Sequence, residues 1–261
     1  MKVIISPAKQ MKICEDDLLP LSTPRFLDKA ACLLHQLQSK SYEELKEILQ
    51  CSDKLATEAY QNYQTFRFDQ NPSAAILTYK GIQYQYMAPQ ILEDASLSYL
   101  QNHLFILSGL YGILRPFDGI VKYRLEMQAK VPNSLYDYWT DDLANTINDN
   151  VILNLASEEY AKCIRPYKAL IDVHFYEQLP NKRVEKGVYV KMARGQMVRF
   201  LAEHQIESLD DVKKFRESGY EFDEETSTET VFNFVRKSNM RSSTPASRRR
   251  AVPSCSTMWS G

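Results

Sequence analysis

Between Leu107 and Met127 the chain concentrates residues able to hold an anion. Leu-Ser-Gly-Leu-Tyr-Gly-Ile-Leu-Arg-Pro-Phe-Asp at 107–118 is followed, after Gly119 to Lys122, by Tyr-Arg-Leu-Glu-Met at 123–127. Gly109, Gly112 and Gly119 are three of only eight glycines in 261 residues, so the backbone is being placed with care here. A turn at Ser108-Gly109 lets backbone N–H groups approach a ligand. Arg115 and Arg124 offer planar forks for phosphate or carboxylate. Asp118 and Glu126 are either their ion-pair partners or acid–base groups. A tight turn held by structural ion pairs is the competing interpretation.

Cations recur at the ends of other apolar runs. Lys9 follows Val3–Ser6, and Lys80 follows a strand-like run at Ala74–Thr78. In Lys191-Met-Ala-Arg194-Gly195 two cations fall where a predicted strand, Gly187–Lys191, becomes a predicted helix, about Met192–His204. Cations at the positive end of a helix dipole are unfavourable unless an anion binds there. Arg199 extends this stretch or pairs with Glu203 four residues on. Lys9 or Lys191 could form a Schiff base if burial or neighbouring cations lowered its pKa, with Glu126 or Asp118 moving the proton. Tyr79, Tyr84, Tyr111, Tyr123 and Tyr160 near these cations are candidates to stack on unpaired bases.

These residues need a scaffold, and the apolar runs predict one. Val3–Ser6, Phe105–Ser108 and Val151–Ala156 are short, continuous and bounded by turns, as strands buried on both faces are. Ligands gather beyond the carboxyl ends of such strands, so Ser6, Lys9, Ser108 and Ser157 are expected around one crevice. Ser157 alternatively caps a helix begun by Glu158 and Glu159. Asp28–Gln38 is amphipathic, and Ser41 with Glu44 forms a capping-box pattern. A second helix after Cys51-Ser52-Asp53 completes a helix–turn–helix over Ser41–Phe66. Its turn could offer backbone N–H groups, Ser52 and Lys54 to a DNA phosphate. Later come strands at Ile171–Glu177 and Thr230–Val235, a helix at Ser208–Ser218, and a candidate strand at Tyr123–Met127. The expected class is mixed α/β (α+β), with one domain over 1–237.

Composition narrows the partners. The chain has 32 Lys and Arg against 33 Asp and Glu, so anion binding must come from local clustering. No signal peptide or apolar span of about 20 residues is present, and a cytoplasmic location without membrane contact is expected. Cys14, Cys32, Cys51, Cys163 and Cys255 are scattered, which suits reduced thiols and predicts no stable metal and no cofactor. Direct iron sequestration is disfavoured by the lack of any Glu-x-x-His spacing. From Ser238 the composition turns Ser/Arg-rich and aperiodic, predicting a disordered tail over 238–261, of native or foreign origin.

Taken together, Ser-Pro-Ala-Lys at 6–9, Ser-Asp-Lys-Leu at 52–55, Tyr-Lys-Gly at 79–81, the 107–116 and 123–127 blocks, Asn-Leu-Ala-Ser-Glu-Glu-Tyr at 154–160, Ala-Arg-Gly at 193–195 and Gly-Tyr-Glu-Phe-Asp at 219–223 closely resemble the YaaA family of peroxide-stress proteins, also called UPF0246 or DUF328. The blocks occur in order and cover essentially Met1–Arg236. The resemblance implies a cytoplasmic bacterial protein that restrains free iron under hydrogen peroxide. It also implies an unusual α/β fold with a mixed sheet, a positively charged cleft and a DNA-binding helix–hairpin–helix, which falls on Ser41–Phe66. It supplies no catalytic residues. The expected DNA- or anion-binding set is therefore Lys9, Ser52, Lys54, Lys80, Ser108, Gly109, Arg115, Arg124, Lys191 and Arg194. The expected function is a stress protein that binds DNA, duplex or locally unpaired. The alternative is a lyase- or glycosylase-like enzyme on a nucleobase, nucleotide or damaged DNA, using Lys9, Lys191, Glu126 and Asp118.

Overall fold

The computed structural model describes residues 1–14 and 21–237, so the expected tail at 238–261 lies outside the described residues. Strands β1 (Lys2–Ile5), β2 (Leu104–Ser108), β3 (Gly112–Leu114), β4 (Ile152–Leu155), β5 (Ile171–Gln178), β6 (Arg183–Val184), β7 (Glu221–Phe222) and β8 (Val231–Lys237) form one sheet. Its order is β7-β8-β5-β4-β1-β2-β3, with β6 beside β5. The neighbours from β8 through β5, β4 and β1 to β2 are parallel, while β3, β6 and β7 pair antiparallel at its margins. The class is mixed α/β with a mostly parallel sheet. The three apolar runs read from sequence are its centre, where Val3, Ile4, Ile5, Ile106, Leu107, Leu153 and Leu155 are all buried.

The six longest helices among the described residues are α1 (Leu27–Gln38), α2 (Tyr42–Leu49), α3 (Asp53–Thr65), α4 (Ile82–Met87), α5 (Asp94–His103) and α6 (Gly187–Glu203). The capping box at the start of α2 is complete. Ser41 Oγ accepts the Glu44 N–H at 3.2 Å, and the Glu44 carboxylate accepts the Ser41 N–H at 2.9 Å. Gln50 turns the chain in the left-handed region, φ 45°, before Ser52 begins α3.

Four local expectations need correction. Gly187–Lys191 is not a strand; α6 starts at Gly187, and Val190, Ala193, Met197, Val198 and Leu201 form its buried stripe. Helical spacing of buried residues outweighs the strand-favouring Val188-Tyr189-Val190 run, because Val190 is buried while Val188 and Tyr189 stay partly exposed. Ala75–Thr78 is one helical turn, and Thr78 Oγ1 donates back to the Ala74 carbonyl at 2.9 Å. Tyr123–Met127 lies outside any strand. The 208–218 region holds only Leu209–Val212, capped by Ser208, as helix before a short turn at Glu217–Gly219.

Gly109 explains the first glycine turn. A Cβ there would meet the Leu125 carbonyl oxygen at 2.3 Å, so the turn after β2 crosses directly against the 123–127 segment. Gly109→Ala should cost about 1–3 kcal/mol of stability, since backbone must shift to admit one methyl. Urea unfolding checks this, and an unchanged midpoint would show that the crossing is loose.

Candidate functional site

From β1 the chain passes to β2 on one side and later returns to β4 on the other. The carboxyl ends of β1 and β4 therefore flank a topological switch point, where open α/β sheets build their crevices. Ser6 and Ser157 meet there. Ser6 Oγ accepts the Ser157 N–H at 2.8 Å, and the two hydroxyl oxygens lie 3.1 Å apart. A cavity of about 540 Å³ opens above them. It is lined by Lys9, Lys80, Arg124, Lys191 and Arg194, with Glu126 and Glu159 as its carboxylates.

Each wall has a structural cause. Gln10–Met11 pairs with Tyr79–Lys80, which sets Lys9 and Lys80 on one rim. The crossing at Gly109 holds Arg124 and Glu126. At another wall α6 packs tightly on α4, because Gly195 brings its backbone to the Gln83 carbonyl, where a Cβ would sit 2.1 Å away. Lys191 and Arg194 are one to two turns inside α6, so the helix-dipole argument for an anion does not apply to them. Being three residues apart, they share a face, and that face lines the cavity.

Glu126 is bridged by Lys9 at 2.6 Å and by Arg124 at 3.2 Å. Burial raises the Glu159 pKa, aided by the nearby Glu126 charge and opposed by the Gln128 N–H and Lys9. Arg194 makes no hydrogen bond or ion pair among the described residues. Burial lowers its pKa, and the more distant charges of Glu185 and Asp172 oppose that shift.

Beneath the cavity runs a hydroxyl chain. Tyr123 lies 2.8 Å from the Tyr79 hydroxyl and 2.7 Å from Ser108 Oγ, which accepts the Tyr111 N–H at 2.9 Å. Burial pushes the Tyr123 hydroxyl up to about 12, so it stays protonated and can donate within the chain.

Of the ten anion-binding candidates, Lys9, Lys80, Arg124, Lys191 and Arg194 converge on this cavity. Ser108 is 0% exposed and belongs to the hydroxyl chain below it. Gly109 is buried at the backbone crossing, its carbonyl accepting from Trp139 Nε1. Arg115 lies outside the cavity lining, its Nε 3.8 Å from Asp118. Asp118 is 2% exposed and accepts from Ser22 Oγ at 2.7 Å and from the Arg115 N–H, a buried turn rather than an acid–base position. Ser52 and Lys54 are exposed at the start of α3, and Ser52 makes no side-chain cap. The rings of Tyr79, Tyr84, Tyr111, Tyr123 and Tyr160 are all buried; Tyr84, Tyr123 and Tyr160 nevertheless line the cavity, whereas Tyr79 and Tyr111 do not. Lys9 and Lys191 are both exposed, so burial does not supply the desolvation that is one of the two routes to a Schiff-base lysine. Glu159, read from sequence only as a helix first-turn charge, is the cavity residue that was missed. Its neighbour Glu126 is 33 positions away, and nothing local announces their meeting.

A second depression adjoins the cavity. It shares Lys9, Gln10, Met11, Tyr123 and Arg124 with it and continues along Leu55, Glu58, Ala59 and Asn62 of α3 to Lys122. The Asn62 side chain donates to the Lys122 carbonyl at 2.8 Å, fixing α3 against this path.

Sequence comparisons agree with the motif blocks. The family model for peroxide stress protein YaaA matches residues 1–226. The chain belongs to the YaaA family. A UPF0246 protein of Agathobacter rectalis is 47% identical over 91% of this chain and 99% of its own length. Others from Desulfitobacterium hafniense and Lactiplantibacillus plantarum are 49% and 48% identical, each over 90% of this chain. Membership of YaaA supports a role in peroxide stress. Among the described residues no helix is long and apolar enough to cross a membrane, and no group of three or more His, Cys, Asp or Glu is placed to hold a metal ion.

Proposed function

We propose that this YaaA protein acts in peroxide stress by binding DNA along a groove from α3 to the cavity at the switch point. One observation carries this reading. The two depressions are continuous, and together they present Lys9, Lys80, Lys122, Arg124, Lys191 and Arg194 against only Glu58, Glu126 and Glu159. A chain whose net charge is −1 has gathered cations on one path. Such a path follows a phosphate backbone and reads no sequence. Lys54, exposed at the start of α3, adds a further phosphate contact where helix N–H groups are free. Occupancy of DNA would shield it from hydroxyl radicals formed by iron and peroxide, in keeping with restraint of free iron and oxidative damage in the cytoplasm.

Fluorescent duplex, bubble and single-stranded DNA titrated with the full chain across a salt series tests this reading. Residues 1–237 run alongside to subtract the arginine-rich terminus. Saturable binding with a negative salt slope is expected, and Lys54→Ala and Lys122→Ala should each reduce that slope by about one contact. Absence of binding to all three DNAs at low salt overturns the proposal.

A further inference from the structure

Among the described residues four buried side-chain polar atoms find no hydrogen-bond partner, and two of them are Arg124 Nε and Arg194 Nε. Both arginines line the same cavity from different walls. A guanidinium presents its donors as a rigid fork, and a buried donor left unpaired is costly enough that native proteins rarely keep one. Arg124 at least bridges Glu126 through Nη2. Arg194 makes no hydrogen bond or ion pair among the described residues and feels only the more distant charges of Glu185 and Asp172, yet the Gly195 contact with the Gln83 carbonyl keeps its helix from moving away. Lys191, one turn earlier on the same face, lacks an ion pair among those residues as well.

We infer that this cavity is a binding site for a mononucleotide-sized phosphate ester, with Arg194 and Lys191 of α6 holding the phosphate and Arg124 of the 123–127 segment taking a second acceptor. The volume of about 540 Å³ lies within the range of small-molecule sites and suits one nucleotide unit. Five cations against two carboxylates select an anion. The Ser6 and Ser157 hydroxyls at the floor are short, neutral groups that complete the polar lining. The site does not depend on the DNA reading: the same phosphate ester could be a free nucleotide or a nucleotide turned out of a strand.

Calorimetric titration of the full chain with inorganic phosphate, with AMP and dTMP, and with a duplex carrying one extrahelical nucleotide tests the inference and separates the sources. Saturable binding of at least one phosphate ester is expected, at least tenfold weaker in Arg194→Gln. Arg194→Lys, which keeps the charge but loses the fork, should fall between. Arg199→Ala, on the same helix but paired with Glu203 outside the cavity, should bind as the parent does. Binding of AMP or dTMP identifies a free-nucleotide site, and binding confined to the extrahelical duplex identifies a flipped-nucleotide site. Lack of binding by every probe at millimolar concentration overturns the inference. So does unchanged affinity in both Arg194 variants, provided their thermal unfolding matches the parent. Plain duplex binding without any of these signals would leave the DNA reading standing and this one refuted.

Discussion

Gly195→Ala is expected to lower stability by about 3 kcal/mol, at the upper end of what overpacking costs. It should also abolish phosphate-ester binding in the cavity. The added methyl would stand 2.1 Å from the Gln83 carbonyl oxygen and 3.0 Å from the Met87 nitrogen. Those are backbone atoms of α4, so no side-chain rotation relieves the clash and the two helices must separate. Separation shifts Arg194, the adjacent residue, relative to the rest of the cavity lining. For a domain of this size each kcal/mol shifts Tm by about 2–4 °C, giving a fall of roughly 10 °C. Gly187→Ala at the other end of the same helix is the contrasting case. Nothing lies within 4 Å of its would-be Cβ, so that variant should keep or slightly gain stability. Thermal unfolding of both variants decides the matter. Equal Tm values would mean that α4 and α6 are not held at the spacing on which the cavity depends.

The same contact shows why part of this site was legible in the sequence and part was not. The central strands declared themselves through short apolar runs, and with them came Ser6 and Ser157 at strand ends. The capping box of Ser41 and Glu44 declared α2 because its chemistry is contained within four residues. Lys191 and Arg194 were legible as a pair of cations beside a glycine, but for the wrong local reason. Val188-Tyr189-Val190 has strand composition, and only packing of Val190, Ala193 and Met197 against the rest of the core makes that stretch helical. Gly195 inside a helix reads as a weakness until α4 is seen pressed against it. Arg115 and Asp118 looked like a ligand-binding pair because of the glycines around them. Gly109 instead serves a chain crossing and Gly112 a turn in the left-handed region against Trp139, and Asp118 is used up by Ser22 and the Arg115 backbone. Glu159 could not have been found, because its environment is assembled from segments that meet only in the folded sheet.

The other large effect is expected at Glu177, well away from the cavity but coupled to the helix that builds it. Glu177 is buried on β5 beside its register partner Arg236 on β8, whose Nη2 donates to Oε1 at 2.6 Å. Lys186 Nζ lies 2.5 Å from Oε2, and Lys186 is the residue from which α6 starts. The Arg236 guanidinium is in turn held between the Tyr189 and Tyr220 rings, 4.3 Å and 4.9 Å from their centroids. One carboxylate thus ties two strands to the beginning of α6. Glu177→Gln should cost about 3 kcal/mol, the lower end for breaking a buried ion pair, because Lys186 is half exposed and can rehydrate. Burial pushes the Glu177 pKa upward, but the hydrogen bonds from Lys186 and Arg236 outweigh it, and the net shift is downward. A carboxylate whose folded pKa is depressed stabilises the fold above its unfolded pKa and loses that contribution as pH falls through the folded value. The gap in stability between parent and Glu177→Gln should therefore be full at pH 7 and narrow progressively below about 4.5. Urea unfolding of both proteins from pH 7 to pH 3 measures it, and a gap that does not change with pH would rule out the ionised pair as its source. Loosening α6 at Lys186 should weaken the contribution of Lys191 more than that of Arg194, which the Gly195 contact still anchors. Phosphate-ester affinity should accordingly fall less in Glu177→Gln than in Gly195→Ala, although the two lose similar stability at neutral pH.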